Sequence, residues 1–154
     1  MKNMKILMVC TANICRSPMA EGIARALLNA AGRNDITVDS AATHDFYIGD
    51  PPDPRACQVM RAHAMPIDDL RARRFTLEDF RDFDQILVAD HEHYQYLHAL
   101  APDDAARAKI GYMLDTLPEA PGAELPDPVL GKAADFLLTF NLLKSALCAR
   151  FSHA

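Results

Sequence analysis

The sequence MKILMVCTANICRSP, residues 4–18, sets the architecture of this chain. Residues 5–9 form a short apolar run rich in β-forming side chains, which predicts a buried strand. Pro18 favours the first turn of a helix, Ser17 is suited to cap that helix, and Gly32 is suited to end it. A strand that leads through a short loop into a helix is the basic unit of an alternating α/β fold.

The rest of the chain continues this alternation. The remaining predicted elements are three strands, at residues 37–41, 85–89 and 109–113, and three helices, at residues 54–64, 91–99 and from 132 onward. Such a pattern predicts a parallel sheet with helices on both faces. Ligands of these sheets bind beside the carboxyl ends of strands, so the end of the first strand is where chemistry is expected.

Composition narrows the class of protein. The chain has 154 residues, of which 50% are hydrophobic and 24% charged, which is typical of one soluble domain spanning residues 1–154. The net charge of −5 does not favour a nucleic-acid partner. The basic cluster of Arg71, Arg73 and Arg74 is flanked by acids and is interpreted as a solvated face.

The chain lacks the run of roughly 20 apolar residues that a membrane span needs. Residues 6–9 are too short an apolar run for a signal peptide, so we expect no membrane association and a cytoplasmic location. Cys10, Cys15, Cys57 and Cys148 form no CxxC pair and are interpreted as free thiols, with Cys57 and Cys148 assigned to packing.

The loop after the first strand has the groups needed to bind a phosphate. Five residues separate Cys10 from Arg16, enough for backbone amides to surround one oxyanion next to a helix N-terminus. Arg16 can grip two phosphate oxygens, and Ser17 can donate to a Cys10 thiolate, which would then be a nucleophile. A single cysteine that ends an apolar strand is also often a buried core thiol, and this alternative stays open.

This loop resembles that of the low-molecular-weight protein tyrosine phosphatases, C-x-G-N-x-C-R-S-P-M-A-E. The matching positions are Cys10, Asn13 and residues 15–21. The likeness continues through SAAT, GDPPDPRA, RAR, DF, FD and DP, at residues 40–43, 49–56, 71–73, 79–80, 83–84 and 127–128. It implies a flavodoxin-like three-layer fold, with a four-stranded parallel sheet and helices on both faces.

The same resemblance implies hydrolysis of phosphotyrosine through a cysteinyl-phosphate intermediate. Cys10 would be the nucleophile, Arg16 the phosphate clamp and Asp127 the general acid and base. From the residues alone, Asp127 reads as a turn aspartate within the turn-rich residues 118–131. The resemblance instead favours Asp127 as the general acid.

Further site residues also follow from the resemblance. Expected to bind phosphate or substrate are Thr11, Ala12, Asn13, Ile14, Cys15, Ser17 and Phe46, with Ser40 in support. Asn13 would tolerate a left-handed turn, and Phe46 would form a wall of the pocket. Cys15 has two open interpretations, a disulfide partner that protects Cys10 or a small buried hydrophobe.

The chain also departs from the family pattern. Ala12 replaces the usual loop glycine, where a positive φ would be strained. Leu70 stands where many members have histidine, and Val129 where many have an aromatic residue beside the substrate ring. None of these changes removes the nucleophile, the arginine or the acid, so we expect an active enzyme with altered rate or specificity.

Three other functions fit the sequence less well. A zinc site at His91, His93 and His98 is disfavoured because Gln95 stands where HExxH needs histidine. Arsenate reduction would need further cysteines, and residues 85–97 have none. A catalytically idle phosphate-binding protein remains a third alternative.

The sequence also leads to expectations about partners. We expect no metal or organic cofactor, a phosphotyrosine-containing protein as substrate, and a monomer or weak homodimer. The broad apolar face of the last helix could serve self-association, although burial against the sheet is the preferred interpretation.

Overall fold

The computed structural model describes residues 3–117 and 124–152. Within these ranges the strands are β1 (Met4–Cys10), β2 (Ile36–Ala42), β3 (Gln85–Val88) and β4 (Ile110–Tyr112). The helices are α1 (Arg16–Ala30), α2 (Pro54–Ala62), α3 (Asp79–Asp82), α4 (His91–Leu100), α5 (Asp104–Ala108) and α6 (Ala133–Ser152). The strands form one parallel sheet in the order β2-β1-β3-β4, which confirms the predicted α/β class.

The sheet separates two apolar cores, because alternate side chains of β1 point to opposite faces. Ile6 and Met8 pack with α1, α2 and α6, whereas Leu7 and Val9 pack with α3, α4 and α5. All four side chains are buried, which explains why β1 reads as a continuous apolar run. The predicted three-layer arrangement is confirmed.

The chain order places a crevice at the end of β1. From β1 the chain passes to β2 on one side and then crosses to β3 on the other side. This reversal is the topological switch point, where open parallel sheets bind their ligands. The segment from Cys10 to Arg16 lies at that point because it connects β1 directly to α1.

The start of α1 differs from the prediction. The helix begins at Arg16, and Cys15 occupies the N-cap position without a side-chain capping bond. The assignment of Ser17 as the cap was therefore wrong, because its hydroxyl lies inside the first turn and bonds to Cys10 and Asn13. Helices α3 and α5 were not predicted, since four and five residues are too few to show helical periodicity.

In the described ranges, no helix combines the length and apolarity that crossing a bilayer requires.

Candidate active site

The loop between β1 and α1 is held in place from outside through its carbonyl groups. The Thr11 carbonyl accepts a bond from the His44 amide at 3.0 Å, and the Ile14 carbonyl accepts one from the Asp53 amide at 2.8 Å. Asn13 has a φ of 59°, the left-handed conformation that the sequence predicted for it. Loops of this form expose successive amides to one side and bind anions there.

The Cys10 sulfur is the endpoint of a buried hydrogen-bond chain. Asn13 Nδ2 donates to Ser17 Oγ at 2.7 Å and to Ser40 Oγ at 2.9 Å. An amide nitrogen only donates, so both serine hydroxyls must turn their own hydrogens elsewhere. Ser40 donates to Glu21 Oε1 at 2.6 Å, and Ser17 lies 3.0 Å from Cys10 Sγ. The direction of the chain thus supplies a donor to a Cys10 thiolate.

Glu21 fixes the far end of this chain. Its carboxylate is buried, accepts from Ser40 and forms an ion pair with Arg25 one turn along α1. Burial raises the pKa of Glu21, while Ser40 and Arg25 oppose that rise. Sequence reasoning placed Glu21 only near the positive end of the helix. Its contact with β2 explains why a carboxylate stands in a buried turn.

Arg16 is buried, and three acceptors from two parts of the chain surround it. Its Nη1 donates to Asp90 Oδ2 and to the Leu125 carbonyl, both at 2.9 Å. Its Nη2 lies 3.5 Å from Asp127 Oδ2. These contacts fix the plane of the guanidinium, so that it presents donors to the cavity that Cys10 also lines.

His93 connects Asp90 to the phosphate loop. Its Nε2 bonds to Thr11 Oγ1 at 2.7 Å, and its Nδ1 lies 3.1 Å from Asp90 Oδ1 without the alignment of a hydrogen bond. Burial lowers the pKa of His93 to about 4. Burial opposes ionisation of Asp90, but His93 and Arg16 together lower the pKa of that carboxyl below its usual value. Near neutral pH the ring is therefore neutral and the carboxylate charged.

Asp127 lies beside Arg16, on the segment that leads to α6. Its side chain is 43% exposed, and its Oδ1 accepts a bond from the Val129 amide at 3.1 Å. Backbone bonds from Leu125 to Ala89 and from Gly131 to Pro128 shape the segment on either side. The turn-rich character predicted for residues 118–131 is seen from residue 124 onward, and residues 118–123 lie outside the described residues.

These groups share one cavity of about 270 Å³. Cys10, Arg16 and Asp127 line it together. The rest of the lining is mostly apolar and includes Ile14, Phe46, Tyr47, Val129 and Leu130. A few polar groups within a mostly apolar lining suit a phosphate that is joined to a flat, apolar group.

The structure brings most of the predicted site residues to this cavity. Those that line it are Cys10, Thr11, Ala12, Ile14, Cys15, Arg16, Phe46 and Asp127. Asn13, Ser17 and Ser40 do not line it; they are buried behind the loop and act through hydrogen bonds. The predicted pocket wall Phe46 is 64% exposed and stacks on His44, with ring centroids 5.1 Å apart.

Sequence reasoning missed several residues of the site, among them Tyr47, Asp90 and His93. Tyr47 could have been suspected as the aromatic neighbour of Phe46 in the sequence. Asp90 follows β3, whose carboxyl end adjoins that of β1, and this adjacency was a usable signal. His93 had no signal of its own, because its contact with Thr11 depends on how α4 packs.

Predictions about Arg73 and Cys148 need correction. Arg71 and Arg74 are exposed, as predicted for the basic cluster. Arg73 is only partly exposed, because it pairs with Asp79, and its amide donates to Asn13 Oδ1 at 3.1 Å. Cys148 is exposed and not packed in the core, whereas Cys57 is buried as expected. The four cysteines are free thiols in the structure, as the sequence predicted.

The family departures have modest structural consequences. Positive φ occurs at Asn13 and not at Ala12, so the alanine carries no left-handed strain. Leu70 packs against the core on the α1 side of the sheet. Val129 still lines the cavity, and the adjacent Leu130 adds a side chain that is 98% exposed.

Comparisons with known proteins agree with this geometry. The family model described as low molecular weight phosphotyrosine protein phosphatase matches residues 5–153. The human low molecular weight phosphotyrosine protein phosphatase is 37% identical over 133 residues, which cover 85% of this chain and 83% of the human one. The crystal structure of YfkJ from Bacillus subtilis has a TM-score of 0.91 at 30% identity, covering 99% of this chain and 95% of that chain. Wzb of Vibrio vulnificus in complex with benzylphosphonate has a TM-score of 0.87 at 27% identity, covering 98% and 99%.

Proposed function

The chain belongs to the low-molecular-weight protein tyrosine phosphatase family, and we propose that it hydrolyses phosphotyrosine in proteins through a phosphocysteine intermediate. One observation carries this proposal. Cys10, Arg16 and Asp127 line the same cavity, and Ser17 places a donor 3.0 Å from the Cys10 sulfur. Nucleophile, anion clamp and acid are therefore present around one site.

In the first step the Cys10 thiolate attacks phosphorus in line with the ester oxygen. A sulfur–phosphorus bond forms while the bond to the tyrosine oxygen breaks. Arg16 and the amides of the loop hold the phosphoryl oxygens as charge builds on them. Asp127, in its protonated form, gives its proton to the departing phenolate.

In the second step water replaces the thiolate on phosphorus. Asp127, now a carboxylate, accepts a proton from the attacking water. The sulfur–phosphorus bond breaks, inorganic phosphate is released, and Cys10 returns to the thiolate that Ser17 stabilises. The same aspartate thus acts first as an acid and then as a base. Neither step involves oxidation or reduction.

The walls of the cavity favour tyrosine among phosphorylated side chains. Phe46, Tyr47, Val129 and Leu130 line the cavity together with the phosphate loop. A phenyl ring can span these walls and deliver phosphate to Cys10. The shorter phosphoserine side chain would have to draw the peptide backbone into the slot.

The decisive experiment compares peptides that carry phosphotyrosine, phosphoserine and phosphoarginine. We expect clear turnover of phosphotyrosine by the wild type and loss of activity in Cys10→Ser. Equal, zero activity of the two proteins would support the alternative of an idle phosphate-binding protein. Comparable turnover of phosphoserine would contradict the specificity while leaving the chemistry intact.

The same proposal extends to the setting of the enzyme. We propose a single catalytic domain over residues 1–154, active without a metal or organic cofactor, in the cytoplasm, as a monomer or weak homodimer. The absence of a cofactor is supported by Arg16 and the loop amides, which already balance the phosphate charge.

A further inference from the structure

Arg55, near the start of α2, contacts the segment that carries Asp127. Its Nη2 donates to the Val129 carbonyl at 2.8 Å, and its Nη1 donates to the Gly131 carbonyl at 3.0 Å. Val129 is also the residue whose amide donates to Asp127 Oδ1. One residue therefore receives a bond from Arg55 on its carbonyl and gives a bond to Asp127 from its amide.

The Arg55 side chain is itself held in a fixed orientation. Asp53 accepts from Arg55 Nε at 3.1 Å and from Nη2 at 3.0 Å. The guanidinium carbon lies 4.6 Å from the centroid of the Phe136 ring on α6. A planar fork with a carboxylate on one edge and an aromatic face beneath it keeps little rotational freedom.

Asp53 extends this contact to the phosphate loop. Its backbone amide donates to the Ile14 carbonyl at 2.8 Å, and its side chain caps α2 by accepting from the Arg55 amide. Two contacts thus connect the phosphate loop to the segment after Asp127. Asp53 at the start of α2 bonds to Ile14 of the loop, and the nearby Arg55 bonds to Val129. This connection links the loop that carries Cys10 to the segment that carries Asp127.

We propose that Arg55 is a positioning residue that holds Asp127 at the working distance from the Cys10–phosphate centre. The inference rests on the proposed function, since it assigns Arg55 a task in the acid step. Arg55 is not among the residues that line the cavity, so we assign it no contact with the substrate. It acts through Val129, by fixing the turn that orients the Asp127 carboxyl.

The test uses a series of aryl phosphates whose leaving groups differ in basicity. A poor leaving group such as phenol needs the proton from Asp127, whereas dinitrophenol leaves without it. For Arg55→Met we expect kcat/KM to fall about 10- to 100-fold with phenyl phosphate, within the ~10²–10⁴ that a general acid supplies. With dinitrophenyl phosphate we expect a change of less than about threefold. Arg55→Lys should recover part of the loss.

Arg61 provides the matched control on the same helix, because it pairs with Asp68 on the exposed surface. Arg61→Met should behave as wild type with every substrate. An equal loss across all leaving groups in Arg55→Met, or no loss at all, would overturn the proposal. An equal loss would show that Arg55 supports folding only, and no loss would show that Arg55 does not position Asp127.

Hydrogen exchange gives a second measurement that does not depend on activity. The amides of Val129 and Gly131 should exchange faster in Arg55→Met than in Arg61→Met, since their segment has lost its two bonds to α2. Unchanged exchange would refute the proposed contact even in an active enzyme. If the wild type has no phosphatase activity but exchange is still faster in Arg55→Met, the proposed function is refuted and the contact of Arg55 with this segment is supported.

Discussion

Asp90 accepts a hydrogen bond from Arg16 at 2.9 Å and also caps α4, where its Oδ1 accepts from the His93 amide. One carboxylate thus orients the phosphate-binding guanidinium and starts a helix. Because the guanidinium is buried, its orientation is set by these neighbours and not by solvent.

Asp90→Asn should separate the two roles, because asparagine is also a good helix cap. We expect kcat/KM for phosphotyrosine peptides to fall by about 10- to 100-fold, since Arg16 loses its charged partner. Asp103→Asn changes the cap of α5 in the same way, away from the cavity, and should stay within about twofold of wild type. Equal effects in the two variants would show that capping alone matters.

Ser17→Ala removes the hydroxyl that lies 3.0 Å from Cys10 Sγ. A hydrogen bond to a charged group contributes about 1.5–3 kcal/mol, so Cys10 without the Ser17 hydroxyl should react about 10-fold more slowly or worse as a nucleophile. The rate of alkylation of Cys10 by iodoacetate at neutral pH measures this loss. Ser152→Ala, on the exposed end of α6, should leave the rate unchanged. A Ser17→Ala protein with the wild-type rate would contradict the proposed direction of the hydrogen-bond chain.

Local sequence determines the phosphate loop, and this part was predictable. Strand, loop and helix start lie within residues 4–18, and the left-handed turn at Asn13 follows from the preferences of that residue type. The four strands were also found, because buried parallel strands read as short apolar runs.

Contacts between distant parts of the chain were not predictable in the same way. Asp90 lies 74 residues from Arg16 in sequence, and their meeting depends on the order of strands β1 and β3. Arg55 reaches Val129 across 74 residues because α2 and the start of α6 pack together. Sequence spacing contains no signal for either contact. The residues that orient Arg16 and the segment of Asp127 could therefore be identified only from the structure.

The cysteines should differ in reactivity according to their surroundings, because Cys10 is as buried as Cys15 and Cys57 but has the Ser17 hydroxyl as a donor to its sulfur. Burial raises the pKa of the Cys15 thiol and also that of Cys57. We therefore expect brief treatment with iodoacetamide near neutral pH to label Cys10 and the exposed Cys148, leaving Cys15 and Cys57 intact. Mass spectrometry of proteolytic peptides would measure this. Labelling of Cys15 as fast as Cys10 would contradict its role as a buried thiol and favour a redox role.

His93 should make the protein less stable in acid. Its pKa falls from 6.5 to about 4 on folding, because burial disfavours the charged ring. Between those values the unfolded chain binds a proton that the folded chain does not, so stability decreases as the pH falls. Lowering the pH from 7 to 5 should therefore reduce the free energy of unfolding by about 2 kcal/mol. His93→Gln should abolish this reduction.

Urea unfolding at the two pH values measures this contribution. Glu21, whose pKa is raised by burial, acts in the opposite direction, but it is present in both proteins and cancels in their difference. His98→Gln, on the exposed side of α4, is the matched control and should keep the wild-type pH dependence. If His93→Gln loses as much stability between pH 7 and pH 5 as wild type, the ring is not held neutral against Thr11 and Asp90.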